Sequence, residues 1–264
     1  MKKPKISIIT VSYNSEKTIE DTIQSVVNQT YSDIEYIIVD GLSKDNTMQI
    51  VNKYQDKITK VLSEKDKGIF DAFNKGVKLA TGDVIGILNS DDFYVDNNVI
   101  ADVAQKFIDT KTDSVYGDLV YVDPVNTNKI MRYWKSKPYR KRLFDFGWMP
   151  PHPTFFCKKK LYDNYGDFNT WMKISNDYEI VLRFLYRYNA AAEYIPRVLI
   201  KMRAGGNSNG SLKKRYIANR EDRMSWEING LVAPIFSMYL KPLQKIGQFR
   251  IPKNIKEELF YKGE

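Results

Sequence analysis

The sequence predicts an α/β protein with a mostly parallel central sheet flanked by helices, and with a helical extension at the C-terminus. Short β-branched runs alternate with helical patterns over residues 1–123, which indicates βαβ units. The run at residues 83–88 is almost entirely apolar, which is typical of a strand buried on both faces of a parallel sheet. Residues 215–228 have a further helical pattern and predict the extension.

The elements of the first half follow in order along the chain. Runs rich in Ile and Val predict strands at residues 5–11, 35–40, 60–63, 83–88 and 114–122. Between them, apolar residues recur at helical spacing, as in Ile19, Ile23 and Val26. The predicted helices are residues 15–29, 46–54, 69–79 and 97–108. Ser15 is the predicted cap of the first of these helices.

The alternation ends after residue 123. Residues 145–156 are rich in Pro and aromatic side chains, and residues 177–188 have a helical pattern. Residues 204–210 have the Gly and Asn content of a flexible loop. We therefore expect the second half to be built differently from the first.

The composition excludes several classes of protein. The chain has 264 residues, of which 43% are hydrophobic and 28% charged, so disorder is excluded as its dominant state. Its single cysteine, Cys157, and its single histidine, His152, exclude a disulfide framework, a multi-cysteine zinc site and a His-rich metal site. We expect Cys157 to be a small buried apolar side chain.

The sequence shows neither a signal-peptide pattern nor a stretch long enough to span a bilayer. Its first residues are too polar and basic for a signal peptide, and they lead directly into the first predicted strand. The longest uncharged stretch, residues 228–240, is 13 residues long, whereas a spanning helix needs about 20. We therefore expect a cytoplasmic protein, with peripheral attachment to the inner face of the cell membrane left open.

The positive charge is concentrated in residues 129–160, which we call the basic segment. It carries 10 basic side chains and 1 acidic one, whereas residues 1–128 carry 14 basic and 20 acidic ones. The segment is a solvated loop, a surface for anionic lipid head groups, or a site for a diphosphate-bearing substrate. Nucleic acid ranks last, because no nucleic-acid motif accompanies the charge. The interleaved aromatic residues predict anchoring at a membrane interface: Tyr133, Trp134, Tyr139, Phe144 and Trp148.

Polar residues that can do chemistry follow three predicted strands. The strand at residues 83–88 runs into Asn89-Ser90-Asp91-Asp92, and adjacent carboxylates at a strand end repel one another unless a cation lies beside them. Their hard oxygen atoms suit Mg²⁺ or Mn²⁺ carrying a substrate phosphate. The alternative is a turn or helix cap, in which Asp is common.

The other two signals follow the first and second strands. Thr10-Val11-Ser12-Tyr13-Asn14 precedes a helix whose N-terminus favours anions. Asp40, at the next strand end, is suited to bind a nucleobase or a ribose, or simply forms a turn before Gly41. The glycine patterns of nicotinamide-binding and P-loop enzymes are missing from the sequence.

Taken together, five segments resemble the family 2 glycosyltransferases, whose GT-A fold binds nucleotide sugars. In chain order they are residues 10–14, residues 40–47 from Asp40-Gly41, residues 66–76 from Asp66-Lys67-Gly68, residues 82–92 ending in Asp91-Asp92, and Asn176-Asp177-Tyr178-Glu179. The resemblance covers residues 5–210, and it is strongest over residues 5–123. It implies a catalytic domain at 1–210, divided into a nucleotide-binding half at 1–123 and an acceptor half at 124–210, and the extension at 211–264.

The resemblance also implies roles for particular residues. Thr10, Ser12 and Asn14 would line the uridine pocket, and Asp40 would bind the uracil edge. Gly68 and Asn74 would approach the ribose and diphosphate. Asp91 would contact the ribose side, and Asp92 would hold the metal with Asp91.

Two positions depart from the family pattern. The Asp-x-Asp signature begins here with Asn89, so the working pair is Asp91-Asp92. The family's Glu-Asp pair at a helix start is here Asn176-Asp177, so the resemblance implies Asp177 as the general base, with Glu179 as the fallback. The alternative for Asp177 is an Asp favoured by the dipole at a helix N-terminus.

Two further residues have open roles. Prolines on both sides of His152 make a rigid loop, so His152 is either structural or an acceptor or metal contact. Arg203 and the basic run at 213–215 flank the glycine-rich loop and either close over the diphosphate as a lid or are solvated charges.

The resemblance implies an inverting, metal-dependent transferase that uses a nucleotide sugar, most simply a UDP-sugar. Its acceptor would be a growing bacterial surface glycan, free or on a lipid diphosphate. Two alternatives remain. A nucleotidyltransferase would show a Gly-rich run with Arg near its start, but residues 1–43 contain no Arg. A non-catalytic carbohydrate-binding protein would not need Asp40, Asp91, Asp92 and Asp177 together. The sequence does not indicate the oligomeric state.

Overall fold

The computed structural model describes residues 3–205, 212–234, 236, 240, 247–252, 255 and 259. Residues 206–210 of the predicted glycine-rich loop at 204–210 lie outside the described residues, as do the side chains at 213 and 215 of the basic run that follows it. No described helix is long and apolar enough to cross a bilayer.

The described chain forms one mixed sheet with helices on both faces. The strands are β1 Ile6–Ser12, β2 Ile34–Asp40, β3 Lys60–Ser63, β4 Val84–Ile87, β5 Asp92–Tyr94, β6 Ser114–Val122, β7 Ile130–Trp134, β8 Phe156–Lys158 and β9 Ala192–Arg203. The α-helices are α1 Ile19–Val27, α2 Thr47–Asn52, α3 Ile69–Leu79, α4 Val99–Thr110, α5 Lys159–Tyr165, α6 Asn176–Val181 and α7 Leu212–Ile228. Helix α6 continues as a π-helix, Leu182–Arg187, and short 3-10 helices lie at Lys141–Phe146, His152–Thr154 and Gly247–Phe249.

The strand order explains where a site can form. The order is β3-β2-β1-β4-β8-β6-β9-β5, and β7 pairs with β6 outside this path. The first four strands pair in parallel, so the loops that follow β1, β2 and β4 leave the same edge of the sheet. Strands β8, β7 and β5 join antiparallel, whereas β6 and β9 are parallel to each other. The predicted α/β class is confirmed, and the antiparallel strands are the part that the sequence did not indicate.

Two apolar layers cover the sheet. On one face, Ile6, Ile8 and Ile38 pack with residues of α1, α2 and α4. On the other, Ile9 and Val11 pack with α3, α6 and a large aromatic group. Successive residues of β1 thus point to opposite faces, as a strand buried on both sides requires. This two-sided burial accounts for the nearly continuous apolar runs in the sequence.

Most predicted elements of the first half are confirmed within a few residues. The strands at 60–63 and 114–122 and the helix at 69–79 have the predicted bounds. The helix predicted to begin at Ser15 begins at Ile19 instead, so that prediction is wrong at its start. The carbonyl of Ser15 accepts hydrogen bonds from the amides of Thr18 and Ile19, both at 3.0 Å. Its hydroxyl lies 2.8 Å from Ser90 Oγ, which ties the loop after β1 to the segment that carries Asp91.

The basic segment is not a free loop. It contains β7, a 3-10 helix and β8, and three of its aromatic residues are buried: Tyr133, Phe144 and Trp148 are 6%, 0% and 5% exposed. The prediction that these three anchor the protein at a membrane is therefore wrong, because they form part of the apolar core. The charged side chains of Lys135, Lys137, Arg140 and Arg142 are exposed.

The predicted C-terminal helix is confirmed over α7. It packs against α6, and its Trp226 is 2% exposed within the core. The indole Nε1 of Trp226 donates to the hydroxyl of Tyr178 at 2.9 Å. Helix α7 is therefore packed into the half of the protein that carries Asp177.

Candidate functional site

The loops after β1, β2 and β3 meet at the carboxylate of Asp40. Its Oδ1 accepts hydrogen bonds from Ser12 Oγ at 3.1 Å and from Ser43 Oγ at 2.5 Å. Its Oδ2 accepts from the amide of Ser43 and from Ser63 Oγ, both at 2.9 Å. Asp40 is fully buried, so it organises three loops at once rather than standing free at a strand end.

Asn14 and Gly41 hold these loops close together. Asn14 adopts a left-handed conformation with φ 50°, its amide donates to Ser43 Oγ at 2.8 Å, and its Oδ1 accepts from the amide of Lys44 at 2.9 Å. A Cβ on Gly41 would lie 2.5 Å from Asp66 Oδ2, so a larger residue here would displace the Asp66 carboxylate. The result is a preformed rim at the edge of the sheet.

The three residues expected to line a uridine pocket differ in exposure. Thr10 is fully buried, and its Oγ1 accepts a hydrogen bond from Tyr36 OH at 3.2 Å. Ser12 is 5% exposed and donates to Asp40. Asn14 is exposed. Of the three, Asn14 is thus the residue placed to touch a ligand, whereas Thr10 faces the core because it lies on the α1 side of β1.

Gly68 and Asn74 lie at the start and in the middle of α3. Gly68 has φ 120°, which an L side chain rarely adopts, and it begins the helix. The carboxamide of Asn74 donates to the carbonyl of Phe168 at 2.8 Å and accepts from its amide at 2.9 Å. Asn74 therefore ties α3 to the loop before α6, and both ends of its carboxamide are engaged.

Asp91 and Asp92 form the carboxylate pair at the start of β5. Asp91 is partly exposed and Asp92 is fully buried. Burial, together with the neighbouring charge of Asp91, raises the pKa of Asp92 well above its usual range. Burial also raises the pKa of Asp91, and the cation of Arg203 opposes that rise. The pair therefore lacks enough positive charge nearby to ionise freely.

The oxygen atoms around this pair fit a hard divalent cation. Asn89 Nδ2 donates to Asp92 Oδ2 at 3.1 Å, which leaves Asn89 Oδ1 and Asp92 Oδ1. Both of these atoms are buried and accept no hydrogen bond from any described residue. Within the described part of the chain, no group of three or more His, Cys, Asp or Glu side chains could enclose a metal. An ion here would be completed by substrate phosphate and water, as Mg²⁺ usually is.

Arg203 binds the backbone of this carboxylate pair. Its Nη1 donates to the carbonyl of Asp91 at 2.7 Å, its Nη2 pairs with Asp21, and its guanidinium lies 4.8 Å from the ring centre of Phe93. It is 6% exposed at the end of β9. This geometry does not support the prediction that Arg203 closes over a diphosphate, because its guanidinium is nearly buried and bonds Asp91 and Asp21.

A row of side chains crosses the sheet from Asp92. Met202 of β9 is the register partner of Asp92 and of Tyr121, and Tyr121 is the register partner of Arg132 in β7. Register partners share a face of a sheet and follow one another at about 5 Å. The Arg132 guanidinium lies 4.5 Å from the centre of the Tyr121 ring. Asp92 and Arg132 therefore occupy one face, about three strand spacings apart.

Asp177 lies near one member of this row, Tyr121. Its carboxylate and that of Asp92 both contribute to raising the pKa of Tyr121, after the larger effect of burial. Asp177 is half-buried in the first turn of α6, where Asp177 Oδ1 accepts from the amide of Tyr178 at 2.8 Å. No salt bridge to Asp177 is present among the described residues. Asp177 and Asp92 thus both lie near Tyr121.

Glu179, the fallback base, lies in a different environment. It is 1% exposed, pairs with Arg183 one turn along the helix, and accepts from Asn229 Nδ2 at 2.8 Å. Its carboxylate is therefore committed to internal partners, which leaves Asp177 as the candidate base.

His152 lies beside Asp177 in an aromatic pocket. Its ring packs 6.4 Å from Phe73 and 6.2 Å from Phe168, centre to centre. Burial lowers the pKa of His152, and the negative charge of Asp177 partly opposes this effect. The imidazole is therefore neutral near pH 7 and close to the candidate base.

Sequence reasoning did not single out Tyr121 or Arg132 as site residues. Tyr121 lies inside the strand predicted at residues 114–122. Arg132 was counted among the charges of the basic segment. A strand pattern at residues 130–134, with alternating Ile130, Arg132 and Trp134 on one side, was the available signal.

The chain is similar to several known glycosyltransferases. Residues 7–172 match the family described as Glycosyl transferase family 2. A PGL/p-HBAD biosynthesis glycosyltransferase of Mycobacterium bovis is 28% identical over 221 residues, covering 82% of this chain and 84% of the relative. The UDP-Glc:alpha-D-GlcNAc-diphosphoundecaprenol beta-1,3-glucosyltransferase WfaP of Escherichia coli is 40% identical over 95 residues, covering 36% of this chain and 38% of the relative.

Two solved structures share the fold. TarS residues 1–349 of S. aureus, in complex with UDP-GlcNAc, superposes with a TM-score of 0.67 at 19% identity, covering 97% of this chain and 70% of that one. The mannosyltransferase PcManGT of Pyrobaculum calidifontis, in complex with GDP-Man and Mn²⁺, superposes with a TM-score of 0.64 at 16% identity, covering 93% and 73%.

Proposed function

The chain belongs to glycosyltransferase family 2, and from this we propose that it moves a sugar, with inversion, from a UDP-sugar to a hydroxyl of a surface glycan or a lipid-linked glycan. One observation carries the proposal. The carboxylates of Asp177 and Asp92 lie close enough to the same side chain, Tyr121, for both to raise its pKa. A base near a metal–diphosphate site is what a direct displacement at an anomeric carbon needs.

The nucleoside of the donor binds at the rim formed by the loops after β1, β2 and β3. Asp40 holds this rim together, and the exposed side chains of Tyr13, Asn14 and Leu42 surround it. UDP is the preferred nucleotide because residues 10–14 and Asp40 match the family's uridine-binding segments, and because TarS is a neighbour in complex with UDP-GlcNAc. GDP is the competing nucleotide, since PcManGT is in complex with GDP-Man.

Asp91 and Asp92, with Asn89 Oδ1, would hold Mn²⁺ or Mg²⁺ at the diphosphate. When bound, such an ion neutralises the charge that develops on the departing diphosphate. Asp91 is the partly exposed member and is placed to meet the donor. Asp92 is buried, where its unpaired Oδ1 supplies the second oxygen ligand.

Asp177 removes the proton from the acceptor hydroxyl as that oxygen attacks. Its Oδ1 is engaged by the amide of Tyr178, so Oδ2 is the oxygen left to take the proton. The neutral imidazole of His152 adds no charge that would compete for this proton. The His152 ring packs against Phe73 and Phe168 and, in this proposal, forms part of the surface that binds the acceptor.

The acceptor carries an anionic group that reaches Arg132. This guanidinium lies beside Tyr121 and Trp134, and its Nε and Nη2 donate to Gln248 Oε1. It forms no salt bridge with a described carboxylate, so its Nη1 is the nitrogen placed to meet an anion. A diphosphate that links a glycan to a lipid would supply the missing anion. The name of the E. coli relative includes an undecaprenol diphosphate acceptor, and the exposed charges of the basic segment would face the membrane that holds such a lipid.

A nucleotide-release assay tests the proposed reaction. The protein is incubated with single UDP-sugars, GDP-mannose and an unmodified nucleoside triphosphate plus sugar phosphate, with Mn²⁺ or with a chelator. We expect release of UDP from one UDP-sugar, and a strong decrease with the chelator. Release of pyrophosphate from the triphosphate would instead show a nucleotidyltransferase. Binding without any release in the presence of lipid-linked acceptors would show a carbohydrate-binding protein.

A further inference from the structure

Helix α7 lies beyond the family match at residues 7–172, yet one of its side chains grips the turn that precedes Asp177. Glu221 Oε1 accepts a hydrogen bond from the amide of Lys173 at 2.9 Å. Glu221 Oε2 accepts from the amides of Ile174 and Ser175, both at 2.8 Å. Three consecutive backbone N–H groups thus converge on a single carboxylate.

The amides that Glu221 binds lie directly before Asp177 in the chain. Ser175 is the N-cap of α6, and Asp177 lies two residues further on in the first turn. Ser175 Oγ also donates to the carbonyl of Ala218 in α7, at 3.1 Å. The direction in which α6 begins is therefore set from α7 rather than by the turn itself.

Burying the carboxylate of Glu221 carries a large desolvation cost, which a purely structural contact would not require. It is 7% exposed, and the described residues give it no lysine or arginine as a salt-bridge partner. A buried carboxylate is stable only when its oxygens are satisfied, and here backbone amides satisfy them. A neutral side chain could pack at this place at a lower desolvation cost, so the carboxylate is explained by the turn that it holds.

Further contacts fix the other side of Asp177. Asn176 Nδ2 donates to the carbonyl of Asn169 at 2.5 Å, and Asn176 Oδ1 accepts from the amide of Asn169 at 3.1 Å. Tyr178 is held by Trp226 of α7, and Glu179 by Asn229 just after it. The residues on both sides of Asp177 are thus held in place, whereas among the described residues Asp177 itself makes only the local hydrogen bond with the amide of Tyr178.

We propose that Glu221 is a positioning residue: through the turn at Lys173, Ile174 and Ser175 it aims the carboxylate of Asp177 at the acceptor hydroxyl. This inference rests on the proposed function, in which Asp177 is the base. A misplacement of about 1 Å at a reacting group can cost about 10²-fold in rate, so loosening the turn reduces turnover even though Glu221 never touches substrate.

The informative variant is Glu221→Gln. The amide nitrogen that replaces one oxygen would face backbone donors, so the turn must shift while side-chain volume stays the same. We expect kcat to fall about 10- to 100-fold. The dissociation constant for UDP should stay within about twofold, because the nucleotide rim lies on β1, β2 and β3. Glu227→Gln is the matched control: it lies on the same helix, is 59% exposed and pairs only with Arg223 among the described residues.

A double-mutant cycle separates positioning from general destabilisation. If Glu221 acts through Asp177, then Glu221→Gln costs little extra turnover in an Asp177→Asn background, because the group being aimed is already disabled. A residue that only stabilises the fold would cost the same factor in both backgrounds. Turnover is measured well below the thermal midpoint of every variant. If Glu221→Gln does not fold, Glu221→Asp, which keeps the charge but shortens the reach, is used in the same cycle.

The outcomes distinguish the two proposals. If Asp177→Asn keeps normal turnover, the proposed base is wrong, and the positioning role fails with it. If Asp177→Asn loses turnover while Glu221→Gln keeps it, or if the two losses multiply fully, the base stands and the positioning role of Glu221 is overturned. A loss in Glu221→Gln that disappears in the Asp177→Asn background supports the inference.

Discussion

Single carboxylates organise this protein at several places where the chain has no regular structure. Asp40 accepts four hydrogen bonds from three loops, and Glu221 accepts three from one turn. Charge-assisted hydrogen bonds of this kind are stronger than those between neutral groups. The loops that line the candidate site are therefore held in place before any substrate binds.

Glu35 plays this part at the opposite end of the strands. Burial acts to raise its pKa, but hydrogen bonds from Ser7, Thr81 and Lys60 outweigh it and lower the pKa of Glu35 to about 2. A folded pKa below the unfolded one means that the ionised form stabilises the native state. This contribution is present above pH 4.5 or so and is lost as the pH falls towards 2.

Replacing Glu35 therefore has a pH-dependent effect on stability. We expect Glu35→Gln to lower the free energy of unfolding by about 1–3 kcal/mol at pH 7, because the hydrogen bonds lose their charged acceptor. The difference from the parent should shrink below about pH 4. Urea unfolding at pH 3 to 7 measures it, with Glu227→Gln as the exposed control. A difference that does not change with pH would contradict the assigned role of the Glu35 charge.

At the scale of elements, the proposed acceptor contact depends on the second half of the sheet. The row from Asp92 through Met202 and Tyr121 to Arg132 exists only because β5, β9, β6 and β7 pair in this register. A slip of one residue in β7 would turn Arg132 to the other face. The pairing register of β6 and β7 thus determines whether Arg132 lies on the same face as Asp92.

The Arg132 assignment predicts a defect confined to the acceptor. We expect Arg132→Ala to raise the KM for a diphosphate-linked acceptor about 10-fold or more, because it removes a charge-assisted contact with the phosphate. The KM for the donor and hydrolysis of the donor without acceptor should not change. Arg132→Lys keeps the charge and should lose less, and Lys135→Ala controls for a general loss of positive charge. Equal KM values for acceptors with and without the diphosphate would refute the assignment.

The elements that sequence patterns predicted are those with local signals. The helix at 69–79 buries residues at helical spacing, and the strand at 114–122 is a nearly continuous buried run, so both could be predicted from local sequence. Strands β5 and β8 are three residues long and exist only through pairing with β9 and β4, so no period could indicate them. Strand β9 is twelve residues long, but it could not be predicted because Pro196 and the charged residues Lys201 and Arg203 interrupt its apolar pattern.

The same division applies to the site. Asp40, Asp91, Asp92 and Asp177 were predicted because each follows a strand or begins a helix in a recognisable motif. Their surroundings were not predictable from the sequence, because the contacts join distant segments: Glu221 lies 46 residues from Ser175, and Asn74 lies 94 residues from Phe168. The family motif implies that Thr10 lines the uridine pocket, but its side chain in β1 points into the core and is fully buried.

At the scale of the whole molecule, charge is separated from the nucleotide site. The half that contains Asp40 and Asp91 carries excess acidic residues, whereas the basic segment exposes Lys135, Lys137, Arg140 and Arg142. The buried aromatic residues of this segment leave electrostatics as its main attraction to a membrane.

Binding of the protein to vesicles should therefore be electrostatic and should weaken as the salt concentration rises. Each exposed Lys or Arg near an anionic surface contributes about 1 kcal/mol, and the attraction decays within a Debye length of about 8 Å at physiological salt. We expect binding to anionic but not neutral vesicles, and complete release at high salt. Replacing both Arg140 and Arg142 by Glu should abolish it without changing UDP affinity. Co-sedimentation decides this; binding that survives high salt, or that ignores lipid charge, would contradict the account.

The central claim is that Asp177 is the base of a glycosyl transfer at the Asp91-Asp92 site, and Asp177→Asn tests it most directly. The substitution keeps the shape of the side chain and removes the proton acceptor. Turnover and UDP-sugar affinity are measured on the same folded sample. The account predicts that kcat falls about 10²-fold or more while the dissociation constant for the donor stays within about twofold of the parent. Near-parental turnover in the folded variant would contradict it.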